Sequence, residues 1–599
     1  MIDTSKWKEY RMSGLEREYL DAYLENLKQN TDPDLEDDEF FAKFCIGQIL
    51  KARDIDIDQI QSGYTDGKHD GGIDGIYFFI QGKQISDEDD PAQFAEFQGL
   101  KMSLHFVQAT RSHGFTKELI RKLEDFSKDL LDDRMDINAK ANIYSLDIRT
   151  AIARFRSWYT SLKLSFPELS IYFHIASKGD GVHPDVKSRS EDLKHIVKEF
   201  YFCECEVEFY PAKTLFELTK KSRRDPVELK LKEKLESDHW GSAYVCLVTM
   251  PNYINFISTP NGELREYVLE PNVRGYLGSK GVNTEIRKTL ISGSEKEEFW
   301  WLNNGITITA SKITPGAKSL ILENARVVNG LQTSREIYYY SQFKSNEARI
   351  DERHILVKVI EAEKQVARNI TSTTNNQTKV DSMYLKTTTD EIHGMIESAF
   401  PKFGFYYERV KNQYYDNDKI DRSKIVTLDY LTRALIAILM QRPEQAKGSP
   451  TQFVKKNYSK VFSHSSKPEV FGNVVRIMKI VDEFIVSRIE ARTDRANIRY
   501  HLAFDAVCSV LRKSSIQRGM LISIKPDESI GKVLDESLDR VKRLYQETIQ
   551  LKKLVPDVVA KGPDFVGALK QELEAKYPPR NKTQNLFTNQ EKVNGQQDR

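Results

Sequence analysis

Short apolar runs that read as strands alternate with stretches of helical spacing through the first two thirds of this chain, and then the strands stop. In the first part the strand-like runs are the apolar residues Ile76–Ile80, then "LHFVQAT", "LSIYFHIAS" and "CEVEFYPA". They are too short for average helices and are separated by turn residues, which predicts strands. Between them, "DLEDDEFFAKFCIGQILKARDI" and "TKELIRKLEDFSKDLLDD" place apolar residues on one helical stripe. The alternation predicts a mixed α/β domain over 1–215. A charged, proline-containing stretch at 216–240 reads as a connection. Strands such as "AYVCLVTM", "GITITASKI" and "HILVKVIEA" then mark a second mixed α/β domain over 241–420. From "KIVTLDYLTRALIAILM" onward the pattern is helical, giving a helical region over 421–575 and a polar, disordered tail over 576–599. A length of 599 residues suits such a multidomain α/β chain.

Charge and cysteine content narrow the function. The 89 basic and 88 acidic residues nearly cancel, which excludes a globally basic nucleic-acid binder and leaves room for a local groove. Five cysteines, only Cys203 and Cys205 of them closely spaced, build neither a disulfide framework nor a zinc site, as expected of a reducing cytoplasm. No apolar run reaches the roughly 20 residues of a membrane span. The start "MIDTSKWKEY" lacks a signal-peptide core. A soluble cytoplasmic protein without membrane contact is expected.

Two constellations carry chemistry. In "HDGGIDGIYFF" a glycine-rich turn delivers Asp70 and Asp74 to the start of a strand; in "LHFVQATRS" the two-residue period puts Gln108 and Thr110 on one face of the next. Hard oxygen donors held on neighbouring strands suit Mg²⁺ or Mn²⁺ beside a phosphodiester. Together with Glu39 on an upstream helix, residues 39–112 resemble the PD-(D/E)XK nuclease superfamily in its Gln-containing, Mrr-like form. The resemblance implies a restriction-endonuclease-like domain, with Asp74, Gln108 and Glu39 as metal ligands and Asp70 nearby. It also implies a lysine where this chain has Thr110; Lys117, on the following helix, would then substitute. Without a substitute the domain would bind nucleic acid and not cut it. The bare turn chemistry of Asp and Gly is the simpler alternative for the same stretch.

The second constellation is built on carboxamides and glycines. "WWLNNGITITASKI" contributes Asn303, Asn304 and Gly305; "VVNGLQTSREIY" contributes Asn329, Gly330, Gln332, Thr333, Ser334 and Arg335; "NITSTTNNQTKV" contributes Asn375, Asn376 and Gln377. Each stretch alone reads equally as a turn. Glycine lets a ligand approach the backbone, and a helix beginning after Gly330 would offer free N–H groups to a phosphate. The three stretches in this order, with "FGFYYERVKNQYY" and its Arg409 and Lys411 among tyrosines, resemble the AIPR proteins, named for abortive infection and phage resistance. "VVNGLQTSR" is also similar to an element of ParB-like proteins, which implies a phosphate pocket. A P-loop is excluded, because no G-x-x-x-x-G-K-[ST] element occurs.

The resemblances imply an antiphage defence protein: a metal-dependent nuclease, controlled by a domain that senses nucleic acid or a nucleotide. DNA is expected ahead of RNA, and a homodimer is expected from the nuclease resemblance. The alternative is a catalytically dead nuclease-like domain in a sensor that signals to a partner.

Overall fold

Strand β1 (Gly75–Ile80) is buried along its whole length, as a run of Ile, Tyr and Phe must be when both faces of a sheet are covered. It pairs antiparallel with the long strand β3 (Lys101–Thr110) and, at its far end, with the short β2 (Lys83–Gln84). Strands β4 (Glu168–Ser177) and β5 (Cys203–Tyr210) extend the sheet in parallel, giving the order β2-β1-β3-β4-β5. The computed structural model describes residues 4–65, 69–86, 89–94, 100–112, 114–221, 225–237, 241–259, 262, 264–269, 282–292, 298–341, 353–363, 366–367, 370, 390–409, 411–415, 417–489 and 491–578.

Helices α1 (Thr4–Thr31), α2 (Asp37–Ile49) and α3 (Ile57–Gly63) precede the sheet, while α4 (Lys117–Phe126), α5 (Leu146–Leu162), α6 (Pro184–Phe200) and α7 (Ala212–Lys220) follow its strands. The alternation of β3 decides which helix meets which residue. Val107 packs with Ala42 and Ile46 of α2 and with Tyr77 and Phe79. Leu104 and Phe106 share the opposite core with Ile120, Leu123 and Phe126 of α4 and with Leu193 of α6.

The stretch 216–240 is not a bare connection. It contains β6 (Val227–Lys230) and β7 (Glu233–Ser237), because Val227, Leu229 and Leu231 are buried while the charges between them face outward. Strand β6 joins the antiparallel sheet β10-β11-β6, with β10 (Lys312–Pro315) and β11 (Ser319–Glu323). Strand β7 closes a second five-stranded sheet of order β12-β9-β13-β8-β7, with β8 (Ala243–Thr249), β9 (Ile306–Ala310), β12 (Arg326–Asn329) and β13 (His354–Glu361). Helices α8 (Met250–Ile257), α9 (Glu266–Leu269), α10 (Val282–Ser292), α11 (Phe299–Leu302) and α12 (Leu331–Ser341) accompany these sheets.

By contact density the chain divides into two units: residues 1–394 with 408–425, and residues 395–407 with 426–599. The first unit holds all three sheets described above. The second is mainly helical, with long helices at Pro468–Arg488, Arg492–Leu511 and Leu534–Lys552. No helix among the described residues is long and apolar enough to cross a membrane.

Candidate functional site

Asp74 lies immediately before β1, and the register Gly75↔Val107 puts it directly across from Gln108 on β3. Its backbone N–H donates to the Val107 carbonyl at 2.9 Å, and its Oδ2 accepts from the Ala109 N–H at 2.5 Å. The carboxylate is therefore pinned over the carboxyl end of β3, where β3 and β4 give way to α4 and α6. Gln108 is 9% exposed and its Oε1 is buried with no hydrogen-bond partner among the described residues. A buried amide oxygen without a partner is costly and calls for an explanation such as a bound ion.

The other residues expected at this centre take varied positions. Asp70 accepts from the Gly72 N–H at 2.7 Å, so it shapes the turn that delivers Asp74. Thr110 hydrogen bonds with Ser112. Lys117 pairs with Asp185 at 2.8 Å, both half-exposed. Glu39 pairs with Lys43 one helical turn on, at 2.5 Å. Among the described residues no three His, Cys, Asp or Glu side chains converge as a metal site. The donors at hand are thus Asp74 and Gln108, two hard oxygens. That set fits a Mg²⁺ or Mn²⁺ ion that keeps most of its water and takes further oxygens from a phosphate.

Two neighbours of this centre escaped sequence reasoning. One is Lys122 of α4, which lies beside Gly72 (φ +80): a Cβ on that glycine would stand 3.8 Å from the lysine Cδ. Its signal was the helix that follows β3, five residues beyond Lys117. The other is Cys45 of α2, whose thiol is pushed well up by burial, with the Asp74 carboxylate acting in the same direction. Behind the centre runs a chain, buried at its two histidines and half-exposed at its acid, in which His105 Nδ1 meets His174 Nε2 at 2.8 Å and His174 Nδ1 meets Glu208 at 3.0 Å. Burial holds His105 well below the usual imidazole range, which fits a structural role on the sheet.

The asparagine–glycine stretches meet each other. Gly305 has φ +76 and Gly330 φ +92, conformations that exclude most side chains. A Cβ on Gly305 would lie 2.7 Å from the Leu356 carbonyl oxygen. One on Gly330 would lie 2.8 Å from Ile306 Cγ1 and 3.2 Å from the Gly305 carbonyl. Close packing of β9, β12 and β13 therefore requires both glycines. Asn303 caps α11 by donating to the Phe299 carbonyl at 2.9 Å, and Asn304 is exposed. Asn329 ends β12 opposite Thr307, after an irregularity in the ladder.

Helix α12 starts directly after Gly330. Ser334 is fully buried, its hydroxyl 2.6 Å from the Tyr253 hydroxyl and donating to the Gly330 carbonyl at 2.8 Å. It secures the helix start from inside. Gln332 is buried; Thr333 and Arg335 are half-buried on the same first turns. Arg409 is buried and donates to the Asp390 carbonyl at 3.5 Å, while Lys411 is half-buried. The segment around them is tied to the amino-terminal helices: Asn412 donates to Asp54 Oδ1 at 3.0 Å, and Arg422 pairs with Asp32 at 3.1 Å. Asn375, Asn376 and Gln377 lie outside the described residues.

A family model described as AIPR protein matches residues 269–553, a little under half of the chain. The matched span includes both asparagine–glycine stretches and much of the helical unit, and it leaves out the sheet that carries Asp74 and Gln108. No curated protein and no solved structure matches the chain.

Proposed function

We propose, from the AIPR match over residues 269–553, that this chain is a phage-defence protein of the AIPR kind and acts as a metal-dependent nuclease whose centre is the Asp74–Gln108 pair. The observation that carries the reading is the Gln108 Oε1, buried without a partner among the described residues and directly across from the pinned Asp74 carboxylate. The arrangement of β1 and β3, with α2 before them and α4 after, is compatible with the PD-(D/E)XK resemblance.

In this reading Asp74 and Gln108 hold the ion, which would supply positive charge to a scissile phosphate and acidity to a bound water. The Ala109 N–H fixes the Asp74 carboxylate in one orientation, and the Asp70 turn sets where the strand begins. Lys122, beside that turn, brings the cation that Thr110 does not, and positions anionic substrate over the pair. The AIPR portion restrains the centre until a nucleic acid or nucleotide signal arrives, with DNA the expected substrate ahead of RNA and a homodimer the expected state.

The deciding experiment is a cleavage assay on plasmid DNA, single-stranded DNA and RNA with Mg²⁺ or Mn²⁺, beside Asp74→Ala and Gln108→Ala. Metal-dependent cutting that falls at least a hundredfold in Asp74→Ala, in a variant that still unfolds cooperatively, supports the centre. Cutting unchanged in both variants refutes it. A second reading draws on Thr110 and on the Asp185 partner of Lys117: a nuclease-like domain that binds without cutting. Under that reading nucleic acid is bound and no metal-dependent cleavage appears.

A further inference from the structure

At the amino end of β3, far from Asp74, the first unit contains a cavity of about 370 Å³. Lys101 of β3, Asn255 of α8, and Ser258, Thr259, Gly262 and Arg265 of the following loop line it. Two cations, Lys101 and Arg265, face the space, and none of the described residues that line it carries a carboxylate. The Ser258 residue is 7% exposed, and its Oγ is buried with no hydrogen-bond partner among the described residues.

The loop is built to hold these groups in place. Ser258 and Leu264 form an antiparallel bridge, and the Arg265 N–H donates to the Ile257 carbonyl at 2.7 Å. Arg265 Nε donates to the Ser258 carbonyl at 2.8 Å, which fixes the guanidinium beside the serine. Gly262, at φ +74, turns its carbonyl to the Tyr338 hydroxyl at 2.9 Å and to Lys101 Nζ at 3.5 Å. Tyr338 belongs to α12, the helix that follows Gly330.

We propose that this cavity is a binding site for the phosphate group of a nucleotide-sized small molecule, held by Lys101, Arg265 and the Ser258 hydroxyl. Lysine and arginine supply charge, the guanidinium adds directional donors, and the serine hydroxyl gains the partner it lacks. The volume lies at the small-ligand end of ordinary binding cavities. Gln108 lies seven residue steps beyond Lys101 on β3, roughly 23 Å along a rigid strand. The site is therefore separate from the proposed nuclease centre and does not depend on it.

Titration calorimetry on the full chain with inorganic phosphate, pyrophosphate, ATP and an unphosphorylated DNA dodecamer tests the assignment. Saturable binding of ATP or pyrophosphate is expected, weakened at least tenfold in Lys101→Gln and in Arg265→Gln, partly restored in Lys101→Arg, and unchanged in Asp74→Ala. Lys101 reaches the cavity from a strand end and makes one long contact, so Lys101→Gln leaves the loop intact even if Arg265→Gln disturbs it. No saturable binding of any phosphate probe, or binding indifferent to Lys101→Gln, overturns the proposal. Binding of the dodecamer alone, sensitive to the same substitutions, overturns the small-molecule assignment.

Discussion

Gly305 and Gly330 illustrate how a residue that invites a ligand in the sequence is required by packing in the fold. Both occupy the left-handed region, and the space beside each is taken by neighbouring strand atoms. An L-residue there costs about 1–2 kcal/mol in backbone strain, and forcing the Cβ against close-packed atoms adds about 1–3 kcal/mol. Gly305→Ala and Gly330→Ala should each lower stability by about 2–4 kcal/mol in urea unfolding, whereas Asn304→Ala at the exposed neighbour should stay within about 0.5 kcal/mol. Equal, small effects at all three positions would remove the packing explanation. Lysine choice is the other residue-scale question. Lys117 is neutralised by Asp185, while Lys122 packs on the turn before Asp74. On the proposed reading Lys122→Ala should reduce cleavage at least tenfold and Lys117→Ala less than threefold, measured as single-turnover rates. The reverse order would return the cation role to Lys117.

At the scale of elements, the segment that follows β13 shows a buried acid doing structural duty. Glu408 is 4% exposed and accepts from the Tyr414 N–H at 3.3 Å. Burial pushes its carboxyl up to about 8 from an ordinary 4.5, with Asp56 and Asp58 adding smaller contributions. Between those values the folded chain keeps a proton that the unfolded chain has released, so stability falls as pH rises across this window. Wild type should lose a few kcal/mol more than Glu408→Gln between pH 5 and pH 8.5, since each tenfold difference in proton affinity between the two states is worth about 1.4 kcal/mol. Parallel pH profiles would dismiss the raised carboxyl. The same scale shows what a sequence exposes. That Gln108 and Thr110 share a face was legible because a period of two follows from strand geometry alone, whereas setting Asp74 beside Gln108 drew on the nuclease resemblance. The strands at 227–237 were hidden, because Val227, Leu229 and Leu231 alternate with charges that dominate the composition of the stretch. Asp185 as the partner of Lys117 lies 68 positions away, and nothing local encodes it. The tyrosine-rich segment likewise reads as a nucleotide platform from its composition, whereas in the fold Asn412 and Arg422 tie it to residues near 54 and 32.

For the whole molecule, two units with separate cores imply that damage to one can be read apart from the other. The helical unit contains a buried ion pair in which Arg540 Nε and Nη2 donate to the two oxygens of Asp505, each at 2.8 Å. Asp505 is fully buried, Arg540 is 7% exposed, and Ser509 accepts a further bond from the guanidinium at 3.1 Å. Such a pair contributes little over a well-packed apolar substitute, because both charges were taken out of water to form it. Removing one partner is different, since the remaining charge is then buried without compensation, at a cost of about 3–5 kcal/mol. Arg540→Ala should therefore lower the melting of the helical unit by on the order of 10 °C in calorimetry. The joint replacement Asp505→Leu with Arg540→Met should recover most of that loss, since it removes the stranded charge along with its partner. If the units unfold separately, the α/β transition keeps its midpoint in both variants, and on the proposed reading any metal-dependent cleavage measured below the first transition stays within about twofold of wild type. A single transition that moves as a whole with Arg540→Ala would mean that the two cores melt as one cooperative body, and every stability prediction made above for the α/β unit would then have to be read against the stability of the entire chain.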